Sequence, residues 1–483
     1  MKVIIAIILH VSVSILGAGM TMEAFIDTLI ERHPLFETED YAAKIAEVER
    51  EGSLNYLDWN ISGGPYYSYS KPTKTSFFGA EKVSAIGVNA NAEKTIEGTG
   101  GTVSGNFSMG YTDQKLNDIS IPMSPDPMVI PSGPSYYYNN SVSVNYTQPL
   151  IQNYKGVLNR LGYNLGQYSI EMAVQQAIEN KENFVQSMAL RYIDWALMAE
   201  QIEITKKRLE LAEKQLERTQ RMRDANLIDK VDVFRAEDAV RAAQQSLVLL
   251  ESQEEAVREE LSVIISCEKL CHSRPDFDLY AIEVMPDLKV IGDSIRENSR
   301  LIEIMQKQTE LLIRERENYV EMNKPILNFD LSAGLNKADG DFAESWLLDR
   351  PELSVSLIYI PNVGRSDIDA DIRANEFEME KLTSSIDQTV ISLEATARNL
   401  LVQIYNMEKV LELNREQIQS SEKKTVEEIK LWERGRGQLN FVIQSRDSEQ
   451  NARFSYAQNA ANYHKLVLQF RALMDELYTE SND

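Results

Sequence analysis

Two long stretches of the chain place apolar residues on a seven-residue repeat. In the first, Val233, Val240, Leu247 and Leu261 recur with Ala236, Ala243, Leu250, Val257 and Ile264 between them, and Glu254 is the one charge on that seam. Upstream, Met188, Trp195, Ile202, Leu209 and Leu216 continue the spacing, interleaved with Tyr192, Met198, Thr205 and Ala212. The second stretch carries it through Ile386, Leu393, Leu400, Met407 and Ile418. Sustained 3,4 spacing predicts helices laid side by side as a coiled coil. Read as one helix, Gly156 to Arg223 is about 100 Å long at about 1.5 Å per residue, where a globular helix averages about 11–12 residues. Such a helix buries its stripe only along neighbours of similar length, so these positions read as packing rather than ligand contacts.

Between and before these stretches the period changes to two. From Tyr136 to Tyr146, Val142, Val144 and Tyr146 share one face while Ser141, Ser143 and Asn145 share the other. Val103 to Tyr111, Val83 to Ile96, Ile326 to Asn336 and Glu352 to Ile360 alternate similarly, and Glu97 to Gly101 reads as a hairpin turn. Alternating segments of about ten residues flanked by aromatics are a weak signature of a transmembrane β-barrel; a soluble sandwich edge carries the same pattern. Proline and glycine obey the same division. Eight of fourteen prolines fall between Pro65 and Pro149, whereas Leu150 to Arg274 holds none. Asn117 to Pro134 reads as an exposed loop.

Strands followed by long heptad helices occur twice. A shift of 209 residues sets Asn226 on Gly435, Val233 on Val442, Phe234 on Ile443, Ala236 on Ser445 and Ala243 on Ala452, which predicts an internal duplication. The first nineteen residues read as an export signal: Lys2, an apolar run from Val3 to Leu16, and the small residues Gly17-Ala18-Gly19. The run is too short to span a bilayer as a helix. Residues 20–59 then form an N-terminal helical segment, 60–149 a first strand region, 150–266 a first helical hairpin, 267–325 a loop and helix, 326–361 a second strand pair, 362–478 a second hairpin, and 479–483 a tail.

In their order, these features resemble the TolC family of outer-membrane efflux proteins. Met22-Glu23-Ala24-Phe25 through Arg32-His33-Pro34 resembles the family's opening helix and proline turn. Gln148-Pro149-Leu150 and Tyr359-Ile360-Pro361 resemble the bends that follow its strand pairs. Its hairpin turns are matched by Asn226-Leu227-Ile228-Asp229-Lys230-Val231-Asp232-Val233-Phe234-Arg235-Ala236 and by Gly435-Arg436-Gly437-Gln438-Leu439-Asn440-Phe441-Val442-Ile443-Gln444-Ser445. The resemblance covers the mature chain. It implies a mainly helical fold with a membrane β portion: a homotrimer closing a twelve-stranded barrel from four strands per protomer, continued by an α-helical coiled-coil tunnel in the periplasm. It further implies an exit channel for efflux or type I secretion, in outer-membrane lipid, coupled to a periplasmic adaptor and an inner-membrane transporter. Physics concurs on one point: four strands cannot close a barrel alone, and open sheet edges are not tolerated in lipid.

The same resemblance places a gate at the helical turns. Asn226, Leu227, Gly435 and Gly437 would form the adaptor-contacting tip, and Asp232, Arg235, Arg436, Phe441 and Gln444 the constriction. The family's paired aspartates are replaced by Phe441 and Gln444, which favours a hydrophobic or amide constriction, or a Phe441 packed between helices. Asp232 is expected to pair with Arg436 across the turns.

Composition narrows the function further. The formal net charge of −24 opposes nucleic-acid binding; it suits either the lining of a water-filled conduit or the solubility of exposed helix faces. His33, His272 and His464 are far apart in sequence, and no nucleophile elbow, phosphate loop or dinucleotide fingerprint occurs, so no enzyme and no cofactor is expected. Cys267 and Cys271, with His272 beside them, can form a small local disulfide or stay reduced, and two thiols cannot complete a zinc site. The competing reading is a periplasmic or surface coiled-coil scaffold or adhesin, which needs the heptads but not the aromatic strands.

Overall fold

The computed structural model describes residues 19–72, 80–116, 119–121, 128–130, 134–267, 270 and 273–479. The export signal to residue 18, most of the 117–134 loop, Cys271 of the cysteine pair and His272 lie outside them. The chain divides into two compact units, one built from the chain up to Ala43, Ala173–Met305 and the chain from Ser385, the other from Lys44–Met172 and Gln306–Ser384.

The second unit holds one antiparallel six-stranded sheet. Its strands are β1 (Asn60–Ser70), β2 (Ala80–Thr95), β3 (Thr102–Leu116), β6 (Pro134–Pro149), β7 (Ile326–Asp339) and β8 (Arg350–Ile360), joined in that order. The short β4 (Ile119–Ile121) and β5 (Met128–Ile130) pair separately. Six strands replace the four expected, because the chain before Gln148 makes two hairpins rather than one. The added turn closes where Ile96 N–H donates to Gly101 O at 2.7 Å and Gly100 adopts φ +69°. Only glycine fits there: a Cβ on Gly100 would lie 2.3 Å from the Gly156 nitrogen.

The first unit is helical. α1 (Met22–Arg32) is capped by Thr21, whose side chain accepts from Ala24 N–H, and stops at His33 before the proline that opens α2 (Pro34–Gly52). The long helices are α3 (Leu161–Asp224, 64 residues) and α8 (Ser366–Glu433, 68 residues), with α4 (Lys230–Ile264) and α9 (Leu439–Leu473) returning alongside, 35 residues each. α5 (Ile291–Asn298), α6 (Arg300–Met322) and a single turn α7 (Phe342–Ser345), the last of these in the second unit, are the remaining described α-helices.

The heptad seam of the first hairpin is the buried one: Tyr192, Trp195, Thr205, Ala212, Val233, Ala236, Val240, Ala243, Val257 and Leu261 are buried. In α8 the buried Val390, Ala397, Ile404 and Leu411 each lie four residues beyond the periodic set, with Leu401 buried beside them, while Ile386, Leu393, Leu400 and Met407 flank the core half-buried. Glu254 escapes the penalty of a seam charge by accepting a hydrogen bond from Trp195 Nε1 at 2.7 Å and pairing with Arg258 at 3.0 Å. Elsewhere in this core Glu179, Glu182 and Asp475 converge on the guanidinium of Arg300. His464 is buried against Phe277 and hydrogen-bonds to Leu279 O at 3.1 Å; burial holds its pKa below the usual imidazole value.

Candidate functional site

Strand register fixes which residues share a face of the sheet. Because paired residues lie on the same side, the register joins the odd residues of β1, β3, β7 and β8 with the even residues of β2 and β6. That face carries Ile61, Tyr67, Ile86, Val88, Val103, Phe107, Met109, Val142, Val144, Leu331, Leu335, Leu353, Val355 and Leu357. Much of it is bare, with Ile61 74%, Leu353 72% and Val355 61% exposed. Apolar surface on this scale is not left in water by a stable protein. Along β3 the apolar run from Val103 to Tyr111 spans about 26 Å at about 3.3 Å per residue, or about 20 Å across a bilayer at a tilt of about 40°, close to the band of outer-membrane barrels. Trp59, Tyr146, Phe329 and Tyr359 flank one end. Tyr69, Tyr111, Tyr136 and Tyr138 flank the other, where α7 and its C-cap add Phe342, edge-on to Tyr138 at 5.2 Å, and Trp346, stacked on Phe107 at 6.0 Å. Asn140 is buried beneath this turn and donates to Ser345 Oγ at 2.9 Å. The aromatics take the positions of interfacial girdles.

The opposite face is amide and hydroxyl. Asn91 Nδ2 donates to Asn106 Oδ1, Ser108 Oγ to Asn89 Oδ1, Asn145 Nδ2 to Ser104 Oγ, Ser332 Oγ to Asn145 Oδ1 and Asn336 Nδ2 to Glu352 Oε2, at 2.5 to 3.3 Å. These bonds link each neighbouring pair of strands from β2 to β8. Both outer edges, β1 and β8, have no partner strand among the described residues.

The helical turns form the second feature. Asn226 and Gly435 both take the left-handed conformation, φ +57° and +69°. Leu227 N–H returns to Met222 O at 2.9 Å, and Arg436 N–H to Leu431 O at 3.0 Å, so the two turns are built alike at the 209-residue offset. Ser266 and Asp475 repeat the correspondence at the far ends of α4 and α9, with φ +48° and +59°. A small core of Ala236, Trp432, Leu439 and Val442 fixes both tips. Gly437 is packed so closely that a Cβ would meet the Trp432 nitrogen at 2.9 Å.

Around that core the residues expected at a gate are arranged differently from expectation. Asp232 pairs with Arg235 at 3.0 Å, one turn along α4, and not with Arg436. The i,i+3 cation is the nearer partner. Phe441 is 48% exposed and Gln444 is exposed, while their neighbours Val442 and Ser445 turn inward; Phe441 does not pack between the helices of its own chain. Leu227 is exposed at the turn, with Val231 and Phe234 exposed nearby. Two ties between the hairpins were not visible in the sequence: Arg208 with Asp447, and Arg218 with Glu433. Each partner is more than two hundred residues away, and both arginines sit among charged residues that read as solvated faces.

No protein-family model matches the chain, and no curated protein sequence does. Solved structures do. The outer-membrane protein VceC of Vibrio cholerae aligns over 94% of this chain and 96% of its own, with TM-score 0.63 and 10% identity. The CmeC outer-membrane channel of Campylobacter jejuni aligns over 96% and 87%, with TM-score 0.63 and 10% identity. The MtrE outer-membrane channel of Neisseria gonorrhoeae, in its open state, aligns over 95% and 90%, with TM-score 0.62 and 12% identity. The chain has the fold of outer-membrane channels.

Proposed function

We propose that three copies of this chain form an outer-membrane exit channel, with the sheet in lipid and the helical hairpins continuing as a periplasmic tunnel that meets an adaptor and an inner-membrane transporter, for efflux or type I secretion. The observation that carries this reading is the two-faced sheet: one side apolar and bare, the other polar and hydrogen-bonded, with both edges open. A lone sheet of this kind satisfies neither water nor lipid, because its edges would present unpaired backbone groups to hydrocarbon. Closure by further copies satisfies both. The 209-residue correspondence of helices and turns supports an origin by internal duplication.

The tip would be the regulated end. Exposed Leu227, Val231, Phe234 and Phe441 give it an apolar rim, suited to adaptor contact or to a constriction that closes by excluding water, while Arg208–Asp447 and Arg218–Glu433 hold the hairpins together. Outer-membrane fractionation and gel mobility test the proposal: a heat-modifiable oligomer that leaves the membrane only with detergent is expected. A freely soluble protein would instead favour the periplasmic scaffold.

A further inference from the structure

We infer that the wall of the assembled channel has eighteen strands, six from each of three chains, and that its exit is correspondingly wide. The inference rests on the channel reading and concerns the hairpin formed by β2 and β3, which a four-strand protomer lacks. A hairpin lying outside the wall has no reason to keep the wall's alternation. This one keeps it through its middle: Ile86, Val88 and Phe107 fall on the apolar face, and Asn89, Asn91 and Asn106 on the polar one, with Lys82, Lys94 and Asp113 breaking it only towards the strand ends. The amide and hydroxyl ladder passes through it into β6. Tyr66 of β1 lies across the polar side of β2 and β3, over two glycines. A Cβ on Gly87 would come within 2.8 Å of its ring, and one on Gly110 within 2.7 Å of its hydroxyl. This is the bracing of strand glycines by an aromatic neighbour, and it holds β1, β2 and β3 in one surface.

The partner that fits the open edges is a second copy of the chain. β1 and β8 are both eleven residues long. With five antiparallel pairings between them, they run in opposite senses, so β1 of one copy meets β8 of the next antiparallel. Odd residues are the apolar ones in both strands, and odd-to-odd pairing continues each face across the seam. Pro65 and Pro351 remove at most one rung each. At a strand spacing of about 4.8 Å and a tilt of about 40°, eighteen strands close at a backbone radius of about 18 Å, against about 12 Å for twelve. The cross-section roughly doubles, and its lining is mainly neutral and hydrogen-bonding, so bulky hydrophilic cargo is the class it suits.

Cysteine pairs test the count in outer membranes, in a Cys267→Ser/Cys271→Ser background. Ser62→Cys on β1, combined in turn with Ser354→Cys, Ser356→Cys or Ile358→Cys on β8, is expected to give disulfide-linked multimers ending at three chains. Ser104→Cys on β3 with the same partners is expected to give none. Cross-linking from Ser104, or from neither strand in a membrane-extracted trimer, overturns eighteen strands while leaving the channel intact. Single Ile86→Cys and Asn89→Cys variants add a readout independent of register. Asn89→Cys should react with a water-soluble maleimide and Ile86→Cys should lose that reaction; equal labelling places the hairpin outside the wall and overturns the inference. A protein that never enters the membrane overturns the channel reading itself.

Discussion

Glu254→Leu separates the heptad rule from the structure. By the rule, a glutamate on an apolar seam is a liability and leucine should stabilise. In the structure Glu254 accepts from Trp195 Nε1 at 2.7 Å, and Trp195 is fully buried with no solvent to replace that acceptor. Arg258 also loses its partner. A hydrogen bond to a charged acceptor contributes about 1.5–3 kcal/mol, and an orphaned buried donor costs about 1–3 kcal/mol. Burying leucine returns about 1.5–3 kcal/mol if it packs fully, which it cannot do against an indole N–H and a guanidinium. A net loss of about 1–2 kcal/mol per chain follows. Trp195→Phe/Glu254→Leu leaves no orphaned indole donor, so the double variant should be more stable than the sum of the singles predicts by about 1 kcal/mol or more. Urea unfolding of the detergent-solubilised oligomer, followed by far-ultraviolet circular dichroism, measures all four corners of the cycle. Stabilisation by Glu254→Leu, or additivity within about 0.5 kcal/mol, would refute the role assigned to Glu254.

Other outcomes follow from the turns, the ties and the core. Arg208→Ala/Arg218→Ala should loosen the tip and admit a large antibiotic that the outer membrane otherwise excludes, with little effect on assembly because the carboxylates left behind, Asp447 and Glu433, are exposed to water; unchanged uptake would remove these ties from the gate. Asn226→Gly and Gly435→Asn should be tolerated, whereas alanine at either position should cost about 1 kcal/mol for a left-handed backbone, read as a lower unfolding midpoint. His464 is held neutral by burial, with Glu283 and Asp278 opposing only in part. Its contribution is therefore complete above the unfolded value of about 6.5 and is lost as pH falls below it, by at most about 1.4 kcal/mol per pH unit. The fall in Tm between pH 7.5 and 5 should shrink in His464→Gln.

The helices were legible because a seven-residue repeat survives any detail of packing, and the turns because αL geometry selects residues such as Asn226 and Gly435. The strand count was not. β1 carries Gly63, Gly64 and Pro65 in its middle, which erase the alternation that marks β6, and only its pairing with β2 shows it to be a strand. The α8 seam was placed four residues early because Leu393 and Leu400 outweigh Ala397 in a hydrophobic count, although the small residue sits deeper. The expected Asp232–Arg436 pair overlooked a nearer cation on the same helix. Arg208 and Arg218 were missed because partners in another hairpin leave no local trace.

Planar-bilayer recording of the detergent-extracted oligomer addresses the central claim most directly. Discrete, repeated conductance steps are predicted, and they should be abolished when the apolar face is broken by Val144→Asp on β6 together with Val355→Asp on β8. A detergent-free soluble protein that adds no conductance under any condition would contradict the account.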